Sequence, residues 1–119
     1  MKKIVVFTGA GISRESGIPT FRDEGGLWDQ YDPQEVCTGT AMRKNPKKVL
    51  DFLNVCRTQM ASCSANIAHK ALARLEEKFD VKVVTQNIDS LHEEGGSTNV
   101  IHVHGNIFEK RKLKNLMVL

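Results

Sequence analysis

A chain of 119 residues, 40% hydrophobic and 26% charged with a net charge of +3, has room for one domain and the composition of a soluble globular one. So mild an excess of cations is not the footprint of a dedicated nucleic-acid binder, and no apolar run approaches the roughly 20 residues of a membrane span. The opening MKKIVVFTGAG does not read as a signal peptide, and Cys37, Cys56 and Cys63 include no CxxC pair, so a reducing, cytoplasmic setting without a zinc site is expected.

Lys3 to Thr8 reads as a buried strand, ended by Gly9-Ala10-Gly11. A short helix is expected from about Ile12, broken at Gly17-Ile18-Pro19. From Thr20 to Thr40 no period is sustained, and Gly25, Gly26, Pro33 and Gly39 punctuate what is expected to be a functional or mobile loop. Asn45-Pro46 supplies an N-cap and a first-turn proline for a helix to about Met60, with Val49, Phe52, Leu53, Cys56 and Met60 on one face. A second helix is expected from Ser64 to Lys78, its stripe formed by Ile67, Ala71, Leu75 and Lys78 with Ala68, Leu72 and Phe79 alongside. Val81 to Thr85 is the next strand, Asp89 to Glu94 a short helix stopped by Gly95-Gly96, and Val100 to Val103 a third strand ending at His104-Gly105.

Strands alternating with helices imply an α/β fold with a parallel sheet and right-handed crossovers. Three motifs then fall at strand C-terminal ends, the edge where open α/β sheets bind ligands: GAGIS from Gly9, TQNID from Thr85 and HVHG from His102. The glycines of the first let backbone N–H groups approach a pyrophosphate, although a simple tight turn uses them equally well. A hydride-transferring dehydrogenase is disfavoured. Arg14 occupies the place of the third glycine of GxGxxG, and no acidic residue ends a second strand about 20 residues on.

Read further, GAGIS, SGIPTFR and GGLW, followed by TQNID and HVHG in that order, resemble the NAD-binding motifs of sirtuins, the NAD-dependent protein deacylases. Asn66, Ala68 and His69 resemble that family's helix before the TQNID strand. The likeness runs from Lys3 to about Arg111. It implies a partial Rossmann-like, deoxyhypusine synthase-like NAD-binding sheet at 1–109, with NAD as co-substrate and an acyl-lysine protein or peptide as partner, and with neither nucleic acid nor membrane. It also implies roles. Gly9, Ala10, Gly11 and Ser13 would lie near the phosphates, and Arg22 would hold a phosphate or its covering loop. Phe21 would shield the ribose, and Trp28 would act as a lid or packing residue. Gln86, Asn87, Ile88 and Asp89 would line the nicotinamide and ribose pocket, with Asp89 and the Ile88 backbone bonding the carboxamide. His104 would be the general base, an imidazole having an ordinary pKa of about 6.5.

Without the resemblance, Asp89 is as readily a cap for the helix after it, and Gln86 and Asn87 as readily loop residues. His102 and His104 would share one face of a strand and could not be told apart. The glycine of the HG pair selects His104. His69 and His92 have no ligand spacing and read as surface or packing residues.

The chain also departs from the family. Deacylases preferring acidic acyl groups carry a tyrosine and an arginine where Leu53 and Cys56 stand, which predicts an apolar acyl pocket and poor removal of succinyl groups. The family's second Rossmann half and zinc module are missing, so zinc is not expected. A sheet edge and an apolar face are expected to lie uncovered. The tail KRKLKNLMVL at 110–119 no longer reads like the family and is expected to be a divergent, solvated basic segment. The sequence therefore suggests a truncated deacylase that would not turn over alone. The alternatives are an inactive NAD-site binding module and a protein ADP-ribosyltransferase using the same pocket.

Overall fold

A computed structural model describes residues 1–18, 20 and 23–109. Phe21, Arg22 and the 110–119 tail, each singled out in the sequence, lie outside the described residues. Three parallel strands, β1 (Lys3–Thr8), β2 (Asp80–Thr85) and β3 (Val100–His102), form a sheet in the order β1-β2-β3. The register pairs Lys3 with Asp80 through Thr8 with Thr85, and Thr85 with His102. The three strand ends that carry the motifs therefore lie side by side, as the α/β reading requires.

Helices account for the rest. A 3-10 helix, Ala10–Ser16, starts directly after β1, two residues earlier than expected, and Gly17 closes it. The loop expected from Thr20 to Thr40 contains a 3-10 turn, Leu27–Asp29, a short helix α1 (Pro33–Val36) and the start of another, α2 (Gly39–Lys44). Pro33 and Gly39 are first helical residues rather than breaks. The side chains of Asp32 and Thr38 precede them and accept from the N–H groups of Gln34 and Ala41. α3 (Pro46–Ala61) follows the cap Asn45 as expected.

The apolar core sits on α3. Leu27, Val36, Phe52, Cys56, Met60 and Ile107 form one buried cluster, with Trp28, Tyr31, Leu53 and Ile88 packed against it. Trp28 stacks on Phe52 at 6.0 Å, and Tyr31 meets the same ring edge-on at 5.0 Å.

α4 (Ile67–Arg74) and α5 (Leu91–Glu94) pack together. Gly95 permits this approach, because a Cβ there would lie 3.0 Å from His69 Cβ and 3.1 Å from the His69 carbonyl carbon. Ile67, which begins the helix's expected apolar stripe, is 84% exposed, and the residue that helix buries completely is His69. Exposed apolar residues Val5, Phe7 and Ile101 lie on one face of the sheet. Among the described residues no helix is long and apolar enough to cross a membrane.

Candidate functional site

A buried polar cluster joins the ends of β1 and β2. Ser13, 1% exposed, projects from the 3-10 helix, and its Oγ–H donates to Asp89 Oδ2 at 2.9 Å. Asn87 Nδ2 donates to the Gly9 carbonyl at 2.9 Å and reaches Ser13 Oγ at 3.4 Å. Asp89 Oδ1 accepts from the Leu91 N–H at 3.0 Å. The carboxylate thus holds the start of α5 and Ser13 together, one oxygen accepting from each.

Two histidines complete the cluster. His69 and His92 are both fully buried, their rings in edge contact at 5.0 Å. His69 Nδ1 accepts from the Asn66 backbone N–H at 3.1 Å. An amide N–H can only donate, so the neutral ring carries its proton on Nε2, which faces Ser13 Oγ at 3.4 Å. In this way His69 takes the part of Glu or Gln in a capping box whose N-cap is Asn66. The Asn66 amide also donates to the Ile12 carbonyl and Ser16 Oγ, tying α4 to the 3-10 helix. His92 Nε2 lies 2.8 Å from Thr8 Oγ1. Burial, first of all, depresses the pKa of both rings. The charges of Asp89 and Glu94 oppose this for His69; those of Asp89 and Glu93 oppose it for His92.

The sequence left surface and packing open for these two histidines; both are packing residues. Their hydrogen bonds, and the participation of Thr8, are absent from the sequence reading. One signal was available: Asn66 and His69 have the i, i+3 spacing of a capping box.

The other candidates are placed variously. Gly9 lies against Gln86, whose side chain is exposed, while a Cβ at Gly11 would meet nothing within 4 Å among the described residues. Ala10 and Gly11 are exposed. The Ile88 carbonyl accepts from the Ile107 N–H at 2.8 Å, and Asn106 Nδ2 donates to Ser90 Oγ at 2.8 Å, so the segment after β3 folds back over the 86–90 loop. Gly105, at φ +82°, makes that reversal, which gives the HG pair a physical reason.

β3 ends at His102, one residue short of expectation. The alternation that would put His102 and His104 on one face therefore does not reach His104, which sits exposed in the following turn. Trp28 packs on the α3 core as expected of a packing residue. Leu53 and Cys56 also belong to that core. Cys56 is wholly buried, and desolvation, helped by nearby Cys37, pushes its thiol up to about 11. Arg57 Nε donates to the Ile107 carbonyl at 3.1 Å and its Nη1 to Asn54, so its guanidinium is engaged outside this apolar face. Among the described residues no group of three or more His, Cys, Asp or Glu could hold a metal ion.

A parallel α/β sheet with a polar cluster at its C-terminal edge has the arrangement in which open α/β proteins bind their ligands. The Sir2 family model matches residues 9–114, and the chain belongs to the Sir2 family. It is 50% identical over 115 residues to an NAD-dependent protein deacylase of Helicobacter pylori (strain J99 / ATCC 700824), covering 97% of this chain and 49% of the relative. Among solved structures it is similar to a Sir2 homologue mutant in complex with ADP ribose (TM-score 0.81, 44% identity, 88% of this chain and 43% of that one). It is likewise similar to a Sir2 homolog–NAD complex (TM-score 0.79, 45% identity, 88% and 41%). The chain spans about half the length of the curated relatives it matches. NAD is the dinucleotide of this family.

Proposed function

We propose that this chain carries the nicotinamide and ribose side of an NAD-dependent protein-lysine deacylase site. The observation that carries the reading is the buried Ser13–Asn87–Asp89 cluster, which joins the first two motifs by hydrogen bonds across 74 to 76 residues of sequence. It fits NAD: carboxylate, amide and hydroxyl groups converge at the C-terminal edge of a parallel sheet, beside a glycine position open to close approach.

When bound, NAD supplies an activated bond between ribose and nicotinamide, whose cleavage lets an acyl-lysine oxygen reach the ribose. The chain's own residues bind and orient. Gly9, Ala10, Gly11, Ser13 and Arg22 belong to the phosphate side, and Phe21 shields the ribose. Gln86 and Asn87 line the ribose and nicotinamide pocket. Asp89 and the Ile88 N–H, whose carbonyl is already taken by Ile107, hold the carboxamide. His104, exposed after β3, takes a proton from a ribose hydroxyl as general base. With apolar Leu53 and Cys56 on α3 and Arg57 held by Ile107, neutral acyl groups are preferred over succinyl groups. Cytoplasmic residence is part of the proposal, and the free cysteines suit it.

The test is nicotinamide release from NAD with an acetyl-lysine peptide. Release that falls about 10²- to 10⁴-fold in His104→Ala, the usual worth of a general base, would support the catalytic reading and overturn the expectation that the chain does not turn over alone. NAD binding with no release would favour the non-catalytic module instead. Labelled ADP-ribose on a protein acceptor would favour the transferase. Succinyl-lysine cleaved as fast as acetyl-lysine would overturn the acyl preference.

A further inference from the structure

His102 has no role in the deacylase reading, yet it is one of the most tightly held polar side chains near the site. Its side chain is 11% exposed. Nδ1 lies 2.8 Å from the Asn87 carbonyl oxygen, and Nε2 lies 2.7 Å from Glu93 Oε2. A carbonyl oxygen has no proton to give, so Nδ1 must donate. A carboxylate only accepts, so Nε2 must donate as well. A ring donating from both nitrogens is an imidazolium, and its contact with Glu93 is a charge-assisted hydrogen bond.

The atom it grips matters. The Asn87 carbonyl belongs to the same planar peptide as the Ile88 N–H. The chain has no cis peptide bonds among its described residues, so the two groups point in opposite directions. Fixing the carbonyl from one side fixes the direction of the N–H on the other. We propose that His102 is a positioning residue: clamped by Glu93 as an imidazolium, it holds the Asn87–Ile88 peptide plane and so aims the Ile88 N–H at the carboxamide of the ligand. The inference rests on the deacylase reading for the identity of that ligand.

The charged and titratable groups around His102 agree with the geometry. Burial opposes the cation, but the Asn87 carbonyl and the Glu93 carboxylate on α5 outweigh it, and Asp89 in the 86–90 loop adds to them. The ring's pKa is held above its ordinary value. The pKa of His92, also on α5, is lowered by burial first, and the neighbouring His69 and His102 add to that lowering. Loss of the proton breaks the clamp in either tautomer. One leaves the Nε2 lone pair against the Glu93 carboxylate, and the other releases the Asn87 carbonyl.

The experiment is nitrogen NMR of the full chain, following the His102 ring and the Ile88 backbone amide through pH, beside NAD affinity over the same range. Both ring nitrogens should be protonated at pH 6, and the Ile88 amide should titrate with the ring's midpoint. That shared midpoint should fall in Glu93→Gln, which assigns it to His102 rather than to His104. NAD affinity should weaken on the order of tenfold above the midpoint, the worth of one hydrogen bond. His102→Gln, which keeps a donor for the carbonyl, should bind NAD with no pH step there, whereas a merely structural role would cost the same at every pH. A neutral ring at pH 6, or an Ile88 amide indifferent to its titration, overturns the proposal. So does NAD affinity that is flat across the midpoint. NAD that binds at no pH overturns the deacylase reading instead, and the Ile88 amide still decides whether His102 sets the peptide plane.

Discussion

Two buried clusters sit in this chain and are held by opposite means. Around α3, Phe52, Cys56, Leu27, Val36, Met60 and Ile107 pack without directional demands, and aromatic rings supply much of the contact. At the sheet edge Thr8, Ser13, His69, Asn87, Asp89 and His92 are also all buried, but they are held by hydrogen bonds, and of this cluster His92 Nδ1 alone has no partner among the described residues. The first cluster tolerates a change of shape that keeps volume. The second is sensitive even to a change of polarity that keeps volume, because a lost partner leaves a buried polar atom unpaired.

The largest effect should come from the apolar side. Phe52→Ala removes a ring that is 2% exposed and in contact with both Trp28 and Tyr31, and is expected to cost about 3–5 kcal/mol. Chemical denaturation measures it, and the emission of the single tryptophan, Trp28, reports the lost stacking. Phe52→Leu should recover more than half of the loss. A Leu variant as poor as the Ala variant would mean that this cluster is as shape-specific as the polar one, and the contrast would fail.

Next comes Asp89→Asn. The amide keeps the volume and one acceptor, but it puts an NH2 group in place of an oxygen that accepts from either Ser13 or Leu91. A loss of about 1–3 kcal/mol is expected from that near-isosteric change. Volume-conserving substitution at the apolar site should be milder for its size, and equal tolerance at the two sites would remove the distinction.

The same contrast explains what could be read from the sequence. α3 was legible because its cap, Asn45-Pro46, and its stripe of Val49, Phe52, Cys56 and Met60 are local signals that burial bears out. The parallel strands and the order of motifs along the sheet edge were legible for the same reason. α4 was misread because hydropathy favoured Ile67, while packing buries His69, whose partner Ser13 lies 56 residues away. His92 meets Thr8 across 84 residues, a pairing no window of sequence contains. Pro33 and Gly39 were read as breaks although the residues before them, Asp32 and Thr38, were caps in plain sight. Of the candidate site, Ser13, Asn87 and Asp89 were anticipated and are brought together. The histidine scaffold beneath them was not, since a buried histidine and an exposed one look alike in composition.

The smallest expected effect is a pH dependence that only the polar cluster should have. His69 and His92 bind protons less readily folded than unfolded. Their contribution is therefore fully present above the unfolded imidazole pKa of about 6.5 and is lost as pH falls from there through the lower folded values. His102 has the opposite sign: its pKa is raised, so its contribution is present below about 6.5 and is lost as pH rises through the folded value. For His69 the structural reason is specific. A proton on Nδ1 would face the Asn66 N–H and undo the capping box of α4. His69→Gln isolates this, because a Gln oxygen can accept from the Asn66 N–H and its amide can donate toward Ser13, yet it does not titrate. At pH 8 the variant should lie within about 1 kcal/mol of the parent, as a substitution that keeps both hydrogen bonds should. On acidification from pH 6.5 the parent should lose stability at up to about 1.4 kcal/mol per pH unit for each ring taking up a proton, and the variant should lack the share that belongs to His69. Identical acid slopes for the two proteins, measured by denaturant midpoints at matched ionic strength, would mean that His69 is not held neutral by its partners. The polar cluster would then be a passive filling like the one around α3.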